Sequence, residues 1–161
     1  MTIKILTTGG TFDKVYFDAL SEFHIGEPMA GELLEEANVT FNYAIESILK
    51  KDSLEITQED RELIRKRVES VTDSEILITH GTDTMVDTAK SLQGIENKTI
   101  VLLGAMQPAR MRYSDAMFNL GVAFGAVQIL PEGVYVAMNG RIFTPHDVAK
   151  NRAEARFEPV A

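Results

Sequence analysis

The sequence predicts an α/β protein: a doubly wound, mostly parallel sheet flanked by helices. Three observations lead there. Short apolar runs, several rich in β-branched residues, recur between turn signals, as expected of strands buried on both faces. Stripes of apolar residues at three- and four-residue spacing lie between those runs, and such alternation implies right-handed crossovers and layered packing. The 161 residues contain no repeat, low-complexity tract or Pro/Gly/Ser linker, so positions 1–161 read as one domain.

The elements follow in order. Ile3–Thr8 is the first expected strand. Pro28–Ala37 is expected to be helical, with Pro28 near the start, where a missing N–H is tolerated. Val39–Tyr43 reads as a weaker strand. Thr57 followed three residues later by Asp60 has the form of a capping box, and Ile64, Val68 and Val71 form the apolar stripe behind it. Glu75–Thr79 is the next strand. Met85, Ala89 and Leu92 then repeat at helical spacing, with Gly94 as a stop. Thr99–Leu103 is a strand, and Met117, Leu120, Phe124 and Val127 make a helical stripe with Ser114 and Asp115 as candidate caps. Gly133–Met138 is the last strand, leading into a hairpin turn at Asn139–Gly140.

Composition narrows the function. The apolar and charged fractions, 45% and 25%, are those of soluble globular proteins. No apolar run approaches the ~20 residues needed to span a bilayer. The opening "MTIKILTTGG" has no signal-peptide h-region, so the expectation is a cytoplasmic protein with no membrane partner. With no cysteine, disulfides, thiolate metal sites and a cysteine nucleophile are excluded. His24, His80 and His146 lack ligand spacing, so no metal is expected. Neither phosphate-binding glycine motif is present, and no cofactor is expected. A net charge of −8 argues against nucleic acid and is read as a solvated acidic surface rather than a steering field.

In this fold class ligands bind outside the carboxyl ends of the strands. The loops after Thr8, Thr79, Leu103 and Met138 are therefore where chemistry should be sought. The first, "TTGGTF", lets the chain turn at Gly9 and Gly10 and then presents Thr11, either as a reactive hydroxyl or as a turn residue bonding local backbone. The second, "THGTDTM", places Thr82 and Asp83 at a helix start, where they cap the helix, bind an anion, or do both. His80 reads as a packed structural residue. Arg110 and Arg112 in the third loop read as solvent-facing or subunit-contact residues. The last segment carries Asp147 and Lys150.

Taken together, "T-T-G-G-T", "H-G-T-D-T-M", "G-A-M-Q-P-A" with "S-D-A-M-F-N-L", and "H-D-V-A-K-N" resemble the signatures of the L-asparaginase family, in the same order and at similar spacing. The resemblance covers the family's N-terminal domain. Usual members are about twice as long, and the expectation is a short, single-domain branch without the C-terminal domain. It implies that Thr11 is the nucleophile of an acyl-enzyme mechanism, and that Thr82, Asp83 and Lys150 form the group that activates water or the nucleophile. It further implies that Ser53 takes the substrate's α-carboxylate, with Asp52 near its α-amine and Gly10 and Gly81 lining the site. Tyr16 corresponds to the tyrosine of a mobile loop. Leu54 stands where long bacterial members carry Gln, which favours asparagine over glutamine.

The implied function is hydrolysis of L-asparagine to L-aspartate and ammonia, by a homodimer or homotetramer. Two rivals share these motifs. One is a non-catalytic amino-acid-binding or regulatory module. The other is the ammonia-liberating subunit of a tRNA-dependent amidotransferase.

Overall fold

A computed structural model describes residues 1–20 and 22–160. Its centre is a six-stranded sheet in the order β4-β1-β5-β6-β7-β8. The strands are β1 (Ile3–Gly9), β4 (Tyr43–Lys51), β5 (Glu75–Thr79), β6 (Thr99–Leu103), β7 (Gly133–Met138) and β8 (Arg141–Phe143). All neighbours are parallel except β7 and β8, which form the hairpin expected at Asn139–Gly140. Both turn residues have positive φ, 54° and 74°, the conformation that Asn-Gly adopts readily.

Alternate residues of each inner strand enter opposite cores. Ile5, Leu77, Val101 and Leu103 face one side with Leu33 and Leu34 of α1 (Ala30–Glu36) and Leu120 and Phe124 of α4 (Ala116–Val127). Leu6, Ile76, Ile78, Ile100 and Leu102 face the other, with Ile64 and Val68 of α2 (Gln58–Ser70) and Met85 and Ala89 of α3 (Met85–Ser91). Burial on both faces is why these strands read as unbroken apolar runs. The predicted capping box is present: Thr57 Oγ1 accepts from the Asp60 N–H at 3.1 Å, and the Asp60 carboxylate accepts from the Thr57 N–H at 2.9 Å.

Three expectations need correction. The second strand is Tyr43–Lys51, not Val39–Tyr43. Val39 and Phe41 instead pack against the first core from the connection, while the strand itself lies at the sheet edge and carries Glu46, Lys50 and Lys51. The first helix spans only Ala30–Glu36. Neither Thr82 nor Asp83 caps α3, whose N-cap is Thr84. Two hairpins were not foreseen: β2 (Lys14–Phe17) with β3 (Glu22–Ile25), and β9 (Val148–Asn151) with β10 (Arg156–Pro159). Among the described residues, each pairs only within itself.

Chain order and sheet order together locate the site. β1 is followed by β4 on one side and flanked by β5 on the other, so the winding direction reverses at β1. The crevice at the carboxyl ends of β1 and β5 is the topological switch point.

Candidate active site

Two glycines bring the switch-point loops into backbone contact. A Cβ on Gly10, whose φ is +73°, would lie 2.5 Å from the Gly81 nitrogen. A Cβ on Gly81 would lie 2.6 Å from the Ser53 Cβ. The loops after β1 and β5 and the turn after β4 therefore meet at van der Waals range only because neither glycine has a side chain. Thr11 follows at once, in a 3-10 turn over Thr11–Asp13 that is anchored by fully buried Phe12. Thr11 is partly exposed, and among the described residues its hydroxyl has no hydrogen-bond partner.

Across this contact stands the second group. The Lys150 Nζ, delivered by β9, donates to Thr82 Oγ1 at 2.7 Å and to Asp83 Oδ1 at 2.8 Å. Thr82 is buried and the Lys150 side chain is only 15% exposed, so the ammonium is held largely out of water. The hydrogen bond from Lys150, reinforced by charge, holds the Asp83 carboxyl below the usual carboxylate range. Arg152 adds a second cation, 3.2 Å from the same Asp83 oxygen. The sequence reading missed Arg152. Its signal was the two-residue period of an extended segment, which sets positions 150 and 152 on one face.

Ser53 is buried in a 3-10 turn, Ser53–Glu55. Its hydroxyl accepts from the Asp83 N–H at 3.2 Å, and its carbonyl accepts from Thr84 Oγ1 at 2.7 Å. With its acceptor role filled, the hydroxyl keeps its own proton to donate to a carboxylate. The same bond commits the Asp83 amide, and Thr82 lies two residues before the N-cap of α3, so the helix start is a poorer oxyanion donor than the sequence suggested.

Asp52 is already engaged by the protein. It accepts from the Leu54 N–H at 3.1 Å and pairs with Lys14 at 3.4 Å. Tyr16 lies out on the β2–β3 hairpin, 48% exposed, its ring tilted against Phe23 with centroids 5.2 Å apart. No hydrogen bond among the described residues ties it to Thr11 or Thr82.

His80 is structural, as expected. It is fully buried, its Nδ1–H donates to the Gly81 carbonyl at 2.7 Å, and its Nε2 accepts from Thr88 Oγ1 at 2.8 Å. Burial pushes its pKa down to about 4, so it is a neutral prop beneath the Gly81 contact. Arg110 is exposed, in keeping with a solvent-facing residue, and its guanidinium also donates to the Asp13 carbonyl at 2.8 Å and the Glu27 carbonyl at 3.0 Å. Arg112 is exposed, its guanidinium 5.3 Å from the Tyr113 ring centroid. Among the described residues no cluster of His, Asp and Glu is arranged to hold a metal ion, and no helix is long and apolar enough to cross a membrane.

Fold and site define a class: a doubly wound α/β domain with a threonine at its switch point and a lysine-bonded second threonine beside it. The chain belongs to the asparaginase family, whose N-terminal domain, described as "Asparaginase, N-terminal", matches residues 2–158. The glutaminase-asparaginase of Pseudomonas fluorescens biotype A is 33% identical over 166 residues, covering 92% of this chain and 45% of the relative. The thermostable L-asparaginase from Thermococcus kodakarensis superposes with a TM-score of 0.84 at 29% identity, covering 99% of this chain and 51% of that one. One component of the glutamyl-tRNA(Gln) amidotransferase of Methanococcus vannielii is 38% identical over 114 residues, covering 69% of this chain and 26% of the relative. The chain thus spans about half the length of the first two proteins it resembles.

Proposed function

We propose that this chain, whose residues 2–158 match the asparaginase N-terminal domain, hydrolyses the side-chain amide of L-asparagine to L-aspartate and ammonia through an acyl-enzyme on Thr11. The observation that carries the reading is the Lys150–Thr82 hydrogen bond of 2.7 Å, joining residues 68 apart. A threonine hydroxyl needs a neighbour to take its proton before it can attack. Thr82, oriented by Lys150, supplies that neighbour, its hydroxyl taking the Thr11 proton as it gives its own to the leaving nitrogen. Thr11 Oγ1 bonds to the amide carbon, the C–N bond breaks, and ammonia leaves with the proton relayed through Thr82. Water then attacks the ester, the C–O bond to Thr11 breaks, and aspartate leaves. Ser53 donates to the substrate's α-carboxylate, and Asp83 keeps Lys150 in place.

Ammonia release from asparagine is the direct test. Wild-type protein is expected to release it and Thr11→Ala to lose it by at least about a hundredfold, the scale on which covalent catalysis is lost with its nucleophile. Release that does not depend on Thr11 sinks the reading. Tyr16, on the β2–β3 hairpin that follows Thr11, is assigned a catalytic role beside it. Tyr16→Phe retains the ring that packs on Phe23, so a fall in kcat without a fall in stability is the expected result. Leu54, at 70% exposure, offers no polar group toward a longer amide, and asparagine is expected to be turned over in preference to glutamine.

The likeness to part of an amidotransferase supports a second reading, in which ammonia from an amide is passed to a partner enzyme. Glutamine-dependent ammonia release together with co-purification of a synthetase-like partner would favour it. A homodimer or homotetramer accords with exposed apolar side chains such as Tyr113 at 78% and Phe118 at 59%, and sedimentation velocity would establish the state.

A further inference from the structure

We infer that Arg110 is a positioning residue for Thr11: its guanidinium locks the exit of the 3-10 turn that carries the nucleophile. The inference rests on the amidohydrolase reading and concerns a residue that lies outside the Thr11–Thr82–Asp83–Lys150 set.

The turn Thr11–Asp13 has two ends. Its entrance is held by the Gly10 N–H donating to the Lys51 carbonyl at 2.9 Å and by the Gly10 contact with Gly81. Its exit is held by residues of the loop between β6 and α4, almost a hundred positions away. The Ala109 N–H donates to the Phe12 carbonyl at 3.1 Å. Arg110 Nη1 then donates to the Asp13 carbonyl at 2.8 Å and Nη2 to the Glu27 carbonyl at 3.0 Å. The Asp13 carbonyl also accepts from the Gly26 N–H at 2.8 Å, and the Asp13 carboxylate accepts from the Met29 N–H at 2.9 Å. A Cβ on Gly26 would come within 3.3 Å of Arg110 Nη1, so a side chain there would crowd the guanidinium.

These bonds converge on the two backbone segments that flank the β2–β3 hairpin, one following β1 and the other leading into α1. Among the described residues that hairpin pairs with no other strand, so the central sheet does not fix it. The planar fork of one arginine gives each segment its own N–H in a fixed geometry, which the single nitrogen of an ammonium does not reproduce. Attack by Thr11 requires its oxygen at near-contact distance and correct angle to the amide carbon, and small displacements cost rate steeply. The clamp acts on where Thr11 points, not on substrate binding, so it governs kcat rather than KM.

Arg110 is exposed at the surface, and its replacement removes no core contact. Arg110→Met is expected to lower kcat for asparagine roughly ten- to hundredfold with KM changed little. Arg110→Lys, which keeps the charge but loses the rigid fork, should recover part of the loss. Amide hydrogen exchange at Gly26 and Met29 should quicken in Arg110→Met while exchange in β5 and β6 stays as in wild type. Unchanged kcat in Arg110→Met overturns the inference, and so does unchanged exchange at those two amides. A wild-type protein without Thr11-dependent ammonia release overturns the functional reading instead, and the exchange measurement then decides separately whether Arg110 holds the turn.

Discussion

At the scale of single residues, the site depends on what glycine lacks. Gly81 presses on Ser53 so closely that one added methyl group must displace something. Gly81→Ala is expected to cost about 1–3 kcal/mol through overpacking and to raise KM for asparagine by moving the serine, measurable by thermal denaturation beside steady-state kinetics. Lys150 tests the other half of the site. Lys150→Met removes both hydrogen bonds, to Thr82 and Asp83, and kcat is expected to fall about a hundredfold or more while Arg152 continues to pair Asp83. Much of this site could be read from the sequence. Thr11, Thr82, Asp83 and Lys150 lie in short signatures at strand ends, where the fold class directs attention. Arg110 could not be found that way, because a guanidinium that bonds carbonyl oxygens has no partner side chain to mark it. The partners of Asp52, the Leu54 N–H and Lys14, were likewise not legible, since one is backbone and the other lies across a loop.

At the scale of elements, legibility followed burial. β5, β6 and β7 have the bounds expected from their apolar runs, because both faces of each strand are covered. β4 lies at the sheet edge, where charges such as Glu46 and Lys50 are tolerated, so its pattern was diluted and the apolar connection before it looked more strand-like. The β2–β3 hairpin sits in what looked like one long loop, its strands only four residues each. The capping box of α2 was legible because its chemistry is local. Thr57→Ala should destabilise the protein by about 1 kcal/mol, lowering Tm by about 2–4 °C in a calorimetric scan.

At the scale of the whole molecule, two buried groups couple stability to pH in opposite directions. His80 has its pKa pushed down by burial from 6.5 to about 4, so the unfolded chain binds its proton more readily and stability is lost as pH falls from 6.5 toward 4. Asp13 has its pKa raised from 3.8 to about 6, chiefly by burial, so the folded chain binds the proton more readily and stability is lost as pH rises from 3.8 through 6. Their windows overlap and their slopes oppose, which flattens the wild-type response. Asp13→Asn removes one slope and retains a side-chain oxygen for the Met29 N–H. Urea unfolding of that variant is therefore expected to show a steeper loss of stability between pH 6 and 4 than wild type. An identical pH profile would contradict the assignment.

The placement of Lys150 on a hairpin that follows all six sheet strands sets an order of assembly. As the chain emerges during synthesis, β1, β4 and β5 can bring Thr11, Ser53 and Thr82 together long before residue 150 exists. Such an intermediate holds the proposed nucleophile without the lysine that orients Thr82. On the proposed mechanism, hydrolysis of an amide is expected only once the β9–β10 ribbon has docked.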